Sequence, residues 1–432
     1  MEHTLNDQLQ GPERVLLIAV STRKDPVQEE HLDELAALAE TAGGVVVERI
    51  VQNLPHPERG SYLGSGKIEE VISLIPELDI DLVIANASLS PAQIARLSEL
   101  FPCPVIDRSQ LILDIFAKRA LSREGKLQVE LAQLSYLLPR LAGQTTHLSR
   151  LGGGIGTRGP GETKLEVNRR HLRERIASLR EEIEDVKRQR MVQRQGRKRD
   201  GLPQAALIGY TNAGKSTLMN RLCSSDVLVM NQLFATLDTT TRRMTLADGR
   251  FALLSDTVGF IRDLPTHLVT AFRATLEELQ DADILLHVVD VSNAQYAEQM
   301  EAVQKILDDL ENDRPILLVL NKCDAAEPSV ISHLMHEYPG SVAISATQNQ
   351  GIDALVSRLQ ELLYAGITRY TVLIPYAESR LMDPIYAKAR ILRRYEGELG
   401  TMLELESDTV LAKRLQPYHL PEEEIQWQLV TN

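Results

Sequence analysis

The chain has 432 residues, 43% of them hydrophobic and 25% charged, a composition of a soluble globular protein too long for one ordinary core. A formal net charge of −13 points away from nucleic acid as a partner for the whole surface, and Cys103, Cys223 and Cys323, far apart and without CxxC spacing, exclude a disulfide framework and a zinc site. Neither a run of eighteen apolar residues nor a basic start followed by an apolar stretch is present, so the expectation is a cytoplasmic protein with no transmembrane segment.

From the N-terminus, 14–20 (RVLLIAV), 44–50 (GVVVERI) and 80–86 (IDLVIAN) are β-rich runs alternating with helical stretches at 28–42 and 91–101. That rhythm predicts a small open α/β layer with parallel strands, taken as a domain over 1–110. Within it GSYLGSGK at 60–67 imitates a phosphate loop. Five residues separate Gly60 from Gly66, and Ile68 stands where a Mg²⁺-binding Ser or Thr belongs, so the segment reads as a turn before a helix.

A helical hairpin arm is expected over 111–196. Leu127, Leu131, Leu134 and Leu138 form one seam of period 3.5, and Leu172, Ile176, Leu179, Ile183 and Val186 form another. Pro139 is expected to end the first helix. The second is expected over 165–195, on the order of 45 Å. Between Arg150 and Asp200 stand fifteen Lys or Arg against eight Asp or Glu, a basic stripe on an otherwise acidic chain. A solvated helix laced with ion pairs, such as those open to Glu181, Asp185 and Arg188, would carry the same charges.

The hairpin tip reads GGGIGTRGPGETK at 152–164, and Gly154, Gly156 and Gly159 make a GxGxxG. A dinucleotide fingerprint needs a strand before it and a helix opening at its last glycine; here heptad-patterned residues precede it and Pro160 follows. Bare backbone flanked by guanidinium groups suits RNA phosphates and exposed bases better, with Arg150, Gly153, Gly154, Gly156, Arg158, Gly159 and Lys164 as the candidate contacts. A flexible connector is the alternative.

After the basic linker RQGRKRDG comes a domain expected over 197–365. QAALIGYTNAGKST supplies a strand, then Gly209, Tyr210, Thr211, Asn212, Ala213, Gly214, Lys215, Ser216 and Thr217, then an apolar-periodic helix. That is GxxxxGK[ST] in its required context: backbone N–H groups cradle the α and β phosphates, Lys215 reaches the β and γ oxygens, and Ser216 ligates Mg²⁺. DTVG at a strand end places Asp256 on Mg²⁺ and the Gly259 N–H on the γ-phosphate, with Thr257 and Val258 between them. NKCD supplies Asn321, Lys322 and Asp324; the Asp324 carboxylate accepts from guanine N1–H and N2–H₂, a pair of donors that adenine lacks. Leaving such a carboxylate unpaired costs up to about 10⁴ in selectivity elsewhere. Ser345 and Ala346 fall near guanine O6.

Between these motifs lies LFATLDTTTRR, where Phe234, Ala235, Thr236, Leu237 and Asp238 are read as a loop that closes on the triphosphate. Thr236 is chosen as the Mg²⁺-bound threonine because FATL resembles FTTL of translation-factor-type GTPases; Thr239, Thr240 and Thr241 compete. Lys215, Thr236 and Gly259 are the candidate catalytic groups, and Ser216, Thr236 and Asp256 the candidate Mg²⁺ ligands. Phe260 stands where Ras-like enzymes carry a water-positioning Gln, so unassisted hydrolysis is expected near or below roughly 10⁻⁴ per second. A partner, or a K⁺ ion held by Asn212, would supply the missing charge.

The last stretch, 366–432, holds a strand-like RYTVLIPY, an expected helix over 379–394 and a strand-like MLELE, read as a small α/β or ferredoxin-like appendage.

GGGIGTRGPGETKLE, GYTNAGKSTL, FATLDTTTRR, DTVGFI and NKCD together resemble the HflX-type ribosome-associated GTPases over most of the chain. The resemblance implies that the N-terminal layer and arm bind the large ribosomal subunit, with the glycine tip near the peptidyl transferase centre in ribosomal RNA. It further implies that the GTP form splits stalled or idle ribosomes, and that the ribosome stimulates hydrolysis. The fold expected is a multidomain α/β protein: a P-loop GTPase domain with a mixed, mostly parallel sheet, an N-terminal α/β domain carrying a long helical hairpin, and a small C-terminal α+β domain. Nothing demands more than one copy, so a monomer is expected. A GTPase that regulates RNA modification, ribosome assembly or a membrane protease complex without splitting anything would carry the same guanine site.

Overall fold

A computed structural model describes residues 11–23, 26, 29–143, 164–199, 202–223, 234, 240–262 and 278–421. The N-terminal layer comprises β1 (Arg14–Ser21), α1 (Glu29–Ala42), β2 (Val45–Asn53), α2 (Ser65–Glu77), β3 (Leu82–Ala85), α3 (Pro91–Leu100), β4 (Val105–Asp107) and α4 (Arg108–Arg119). Its strands are all parallel, in the order β2-β1-β3-β4. β1 is an unbroken apolar run because both of its faces are covered: Leu17 packs with α1 and α4, Leu16 and Ile18 with α2 and α3. The GSYLGSGK segment is a turn into α2, and its Lys67 pairs with Glu70 at 2.7 Å.

Two long helices follow, α5 (Arg123–Gly143) and α6 (Lys164–Arg199). Leu127, Leu179 and Ile183 form the centre of their seam, with Leu131, Leu134 and Val186 half-buried around it. Arg175 of α6 adds a two-pronged pair to Glu130 of α5, at 2.8 and 2.9 Å. At 36 residues, α6 is about 54 Å long. The opposite face of α5, carrying Val129, Ala132 and Tyr136, is buried in the core of the N-terminal layer, a second apolar face that the seam reading did not separate out.

Pro139 does not end α5; the helix runs through it to Gly143. The residues on either side are fixed from outside the helix. The Tyr136 hydroxyl donates to Asp107 Oδ1 at 2.9 Å, while Arg140 donates to Asp107 Oδ2 at 3.0 Å and to the Leu89 carbonyl at 2.9 Å. Its guanidinium also lies 3.3 Å over the Tyr136 ring. Anchors of this kind offset the one backbone hydrogen bond that a proline removes.

The next unit contains β5 (Gln204–Gly209), α7 (Lys215–Cys223), β6 (Thr240–Thr245), β7 (Phe251–Asp256), α8 (Glu278–Asp281), β8 (Ile284–Asp290), α9 (Tyr296–Asp309), β9 (Ile316–Asn321), α10 (Pro328–Glu337), β10 (Val342–Ala343) and α11 (Ile352–Leu363). Its six strands run in the order β10-β9-β8-β5-β7-β6, parallel except for β6. The apolar runs ALIG, ILLHVV and LLVLN are therefore central strands buried from both sides.

At the C-terminal end, β11 (Ile367–Pro375), α12 (Met382–Lys388), β12 (Ala389–Glu396), β13 (Gly400–Asp408) and α13 (Thr409–Leu415) form an antiparallel sheet in the order β11-β13-β12 with helices packed on it. The helix expected over 379–394 is corrected: helical backbone, a 3-10 turn over Tyr376–Leu381 running into α12, stops at Lys388, and 389–396 is a strand. Ile391 lies opposite Leu405 and Tyr395 opposite Met402 on β13, while Arg390 and Arg393 reach Glu406 and Glu404. Those cross-strand pairs outweigh the helical spacing of the charges. No helix among the described residues is long and apolar enough to cross a membrane.

Candidate functional site

Parallel topology gathers the motifs at the carboxyl ends of β5, β7, β9 and β10, the place where open α/β sheets bind ligands. The chain leaves β5 at Gly209 and turns through residues 210–214 into α7. Gly214 has φ +95°, and an added Cβ would lie 2.2 Å from Asn321 Nδ2. Asn321 is why the approach is so close: its Nδ2 donates to the Ala213 carbonyl at 2.7 Å, and its Oδ1 accepts from the Ala346 N–H at 3.1 Å. One buried amide thus ties the phosphate loop to both base-side segments.

Lys215 is buried, and its Nζ donates to the Gly209 and Tyr210 carbonyls at 2.9 and 2.7 Å. Burial pushes its pKa down to about 8, against the opposing pull of Asp256. Beneath it on β8, His287 is pushed down to about 4, by burial first and by the Lys215 charge second, and is neutral. A phosphate bound at Lys215 would restore the ammonium. Above about pH 8 the free site has lost that proton and the complex holds it, so binding takes up a proton and affinity falls as pH rises. Calorimetry of GDP binding between about pH 7 and pH 9, in buffers of different ionisation enthalpy, should show this uptake growing with pH. Proton-neutral binding across that range would contradict the assignment.

Ser216 Oγ donates to Asp256 Oδ2 at 2.9 Å, and Asp256 is buried at the end of β7. Octahedral Mg²⁺ with bonds of about 2.1 Å sets neighbouring ligand oxygens about 3 Å apart, so a hydroxyl and a carboxylate at this separation suit it. Thr257 is differently employed: its hydroxyl donates to the Leu207 carbonyl at 2.7 Å. Val258 belongs to the core shared with the N-terminal layer. Gly259 rests on Thr211 and Lys215. Phe260 is 2% exposed and packs among Ile208, Leu279 and Val303, turned into the core.

On the base side Lys322 pairs with Asp290 at 2.7 Å. Asp324 is exposed in the protein alone, so only an arriving base would cover it. Ser345 is fully buried, its hydroxyl held by Gln348 N–H and Thr347 Oγ1. Ser345 N–H goes to the Gln350 carbonyl and Ala346 N–H to Asn321, so guanine O6 would share a donor that Asn321 already uses. Asn212 and Thr217 stay at the loop and the first turn of α7, Asn212 exposed with φ +63°.

Phe234 is buried, its ring meeting Phe116 of α4 edge-on at 4.6 Å, in the same apolar cluster as Tyr210 and Val258. Ala235, Thr236, Leu237 and Asp238 lie outside the described residues, as do Arg150, Gly153, Gly154, Gly156, Arg158 and Gly159; Lys164 opens α6. The sequence reading missed a contact across 176 positions: the Tyr210 hydroxyl donates to Glu34 of α1 at 2.9 Å. Burial, then the Glu34 charge, pushes that phenol well above its ordinary range. No local pattern marks Glu34.

Comparison with known proteins agrees with this geometry. Residues 29–117 match the family model described as GTP-binding GTPase N-terminal, 119–197 the GTP-binding GTPase Middle Region, and 204–322 the 50S ribosome-binding GTPase. The chain is 48% identical over 384 residues to the GTPase HflX of Lacrimispora saccharolytica, covering 89% of each chain. It is 42% identical over 401 residues to that of Escherichia coli, covering 92% of this chain and 93% of the relative. A GTP-binding protein from Sulfolobus solfataricus in complex with GDP is 26% identical, with a TM-score of 0.44 over 82% of this chain and 99% of that one. A phosphate loop, an acidic strand end and a base-side strap on one sheet edge, with relatives matched along nearly the whole length, make this chain a GTPase of the HflX family.

Proposed function

We propose that the chain is a ribosome factor whose GTP form binds the large ribosomal subunit through the N-terminal layer and arm and splits stalled or idle ribosomes. Ser216, Asp256 and Thr236 hold Mg²⁺, which supplies charge neutralisation on the phosphates, while Lys215 and the Gly259 N–H engage the transferring phosphoryl group. Phe260 cannot orient water from its core position, so hydrolysis is slow until the ribosome, or a K⁺ ion at Asn212, supplies charge. The tip residues Arg150, Gly153, Gly154, Gly156, Arg158, Gly159 and Lys164 meet ribosomal RNA.

The observation that carries this reading is α6: a helix of 36 residues joined to a GTPase domain, with Arg173 and Arg180 exposed on it beside Arg170 and Arg188, which pair with Glu174 and Asp185. Such a surface suits a phosphate backbone, and the matching family model is that of a 50S ribosome-binding GTPase. Co-sedimentation with separated subunits should be strong with a GTP analogue and weak with GDP. Binding indifferent to nucleotide would leave a purely regulatory role ahead. Deleting residues 152–161 should leave GTP binding within about twofold and remove ribosome-stimulated hydrolysis, because the deletion is remote in sequence from every nucleotide motif. Stimulation that survives would reduce the tip to a connector.

A further inference from the structure

Four residues from distant parts of the chain close a hydrogen-bonded ring where the N-terminal layer meets the GTPase domain. Glu34 accepts from the Tyr210 hydroxyl with one carboxylate oxygen and from Arg108 Nη2 with the other, each at 2.9 Å. The Tyr210 hydroxyl in turn accepts from the Arg262 N–H at 2.6 Å. Arg108 Nη2 completes the ring on the Arg262 carbonyl at 3.2 Å. Both backbone groups of Arg262 are therefore held by side chains, and Glu34 orients both of those side chains. Tyr210 and Arg108 are 8% and 6% exposed, so water competes little with these bonds.

Arg262 ends a segment that lies directly on the phosphate loop. Phe260 N–H donates to the Gly209 carbonyl at 3.1 Å, and the Phe260 carbonyl accepts from Thr211 N–H at 2.7 Å. A Cβ placed on Gly259 would stand 3.1 Å from Thr211 Cα and 3.0 Å from Lys215 Nζ. A third phosphoryl group would stand between the Lys215 ammonium and the Gly259 N–H, and room for it would come from the segment drawing back. A diphosphate ends short of that point. Drawing back breaks the two bonds at Arg262.

We propose that Glu34 is a specificity-determining residue of the nucleotide site: through Tyr210 and Arg108 it holds residues 259–262 down on the phosphate loop and thereby sets the preference between GDP and GTP. The role belongs to the nucleotide site itself and stands whether or not the ribosomal reading holds. A ligand shifts such an equilibrium only by its preference between the two loop positions, and here only the triphosphate has one.

The test is Glu34→Gln in the full chain, with affinities for GDP and a non-hydrolysable GTP analogue measured side by side. Glutamine keeps the shape and removes the charge that makes two of the ring's bonds strong, so the analogue-to-GDP affinity ratio should rise about tenfold. GDP affinity should stay within about twofold, since the diphosphate does not need the loop to move. Amide exchange at Arg262 should quicken in the same variant, a change that loss of bulk stability alone would spread over the whole domain. Tyr210→Phe acts on the same ring and also removes the bond to the Arg262 N–H, so combined with Glu34→Gln it should raise the ratio by less than the product of the two single effects; ratios that multiply would overturn the proposal. So would an unchanged ratio in a folded Glu34→Gln protein. Should that variant lose its fold, Tyr210→Phe alone, which deletes one oxygen, is read by the same ratio and exchange measurements, and wild-type values there would equally overturn it.

Discussion

Replacing Asp324 by Asn is expected to turn the protein from guanine toward xanthine nucleotides. The carboxylate offers two acceptors to the N1–H and N2–H₂ of guanine; the amide offers one acceptor and one donor, and xanthine presents a carbonyl where guanine has its amine. Two charge-assisted bonds are exchanged, so the ratio of xanthine to guanine nucleotide affinity should rise by about hundredfold or more. Asp324 is exposed in the free protein, and the scaffold around it is held by neighbours: Asn321 grips Ala213 and Ala346, Lys322 pairs with Asp290, and Cys323 N–H bonds the Ile344 carbonyl. The melting temperature should therefore stay put while specificity changes. Competition binding with GDP and XDP reads the result, and retained guanine selectivity would remove Asp324 from the base site.

Gly214→Ala should abolish nucleotide binding at modest cost to the fold. The methyl group would meet Asn321 Nδ2 at 2.2 Å, and the backbone at φ +95° is one that alanine rarely adopts. Relief requires Asn321 to turn away, which releases the Ala213 carbonyl and the Ala346 N–H together. The phosphate loop and the base-side loop then lose their common tie. Affinity for GDP and GTP alike should fall by at least about hundredfold, from roughly two lost buried bonds plus backbone strain. The six-stranded sheet does not depend on that contact, so circular dichroism should change little. Near-normal GDP affinity in this variant would mean that the loop tolerates a displacement the packing argues against.

What could be read from sequence was what is local in sequence. The phosphate loop, DTVG and NKCD each sit within a few residues of the strand that positions them, and a run such as ILLHVVD can only be a central strand in an α/β sheet. The arm seams were visible because one period governs both helices. Other features depend on partners far along the chain. Whether ARILRRYE is a strand is decided by β13, which the residues themselves do not encode. Pro139 lies within a helix because Asp107 and Leu89 fix its neighbours. Phe234 and Tyr210 were read as nucleotide-site residues because they adjoin the motifs; Phe116 and Glu34, more than a hundred positions upstream, claim their side chains.

The anchoring of α5 has a mechanical consequence. Arg140 is fixed to Asp107 three residues before α5 ends at Gly143. A tug on the chain beyond Gly143 is therefore delivered within one helical turn to the end of β4, instead of spreading along the coiled seam. Arg108, the next residue after Asp107, grips the Arg262 carbonyl. Load applied to the chain beyond Gly143 would enter the protein one peptide bond away from the grip on the Arg262 carbonyl.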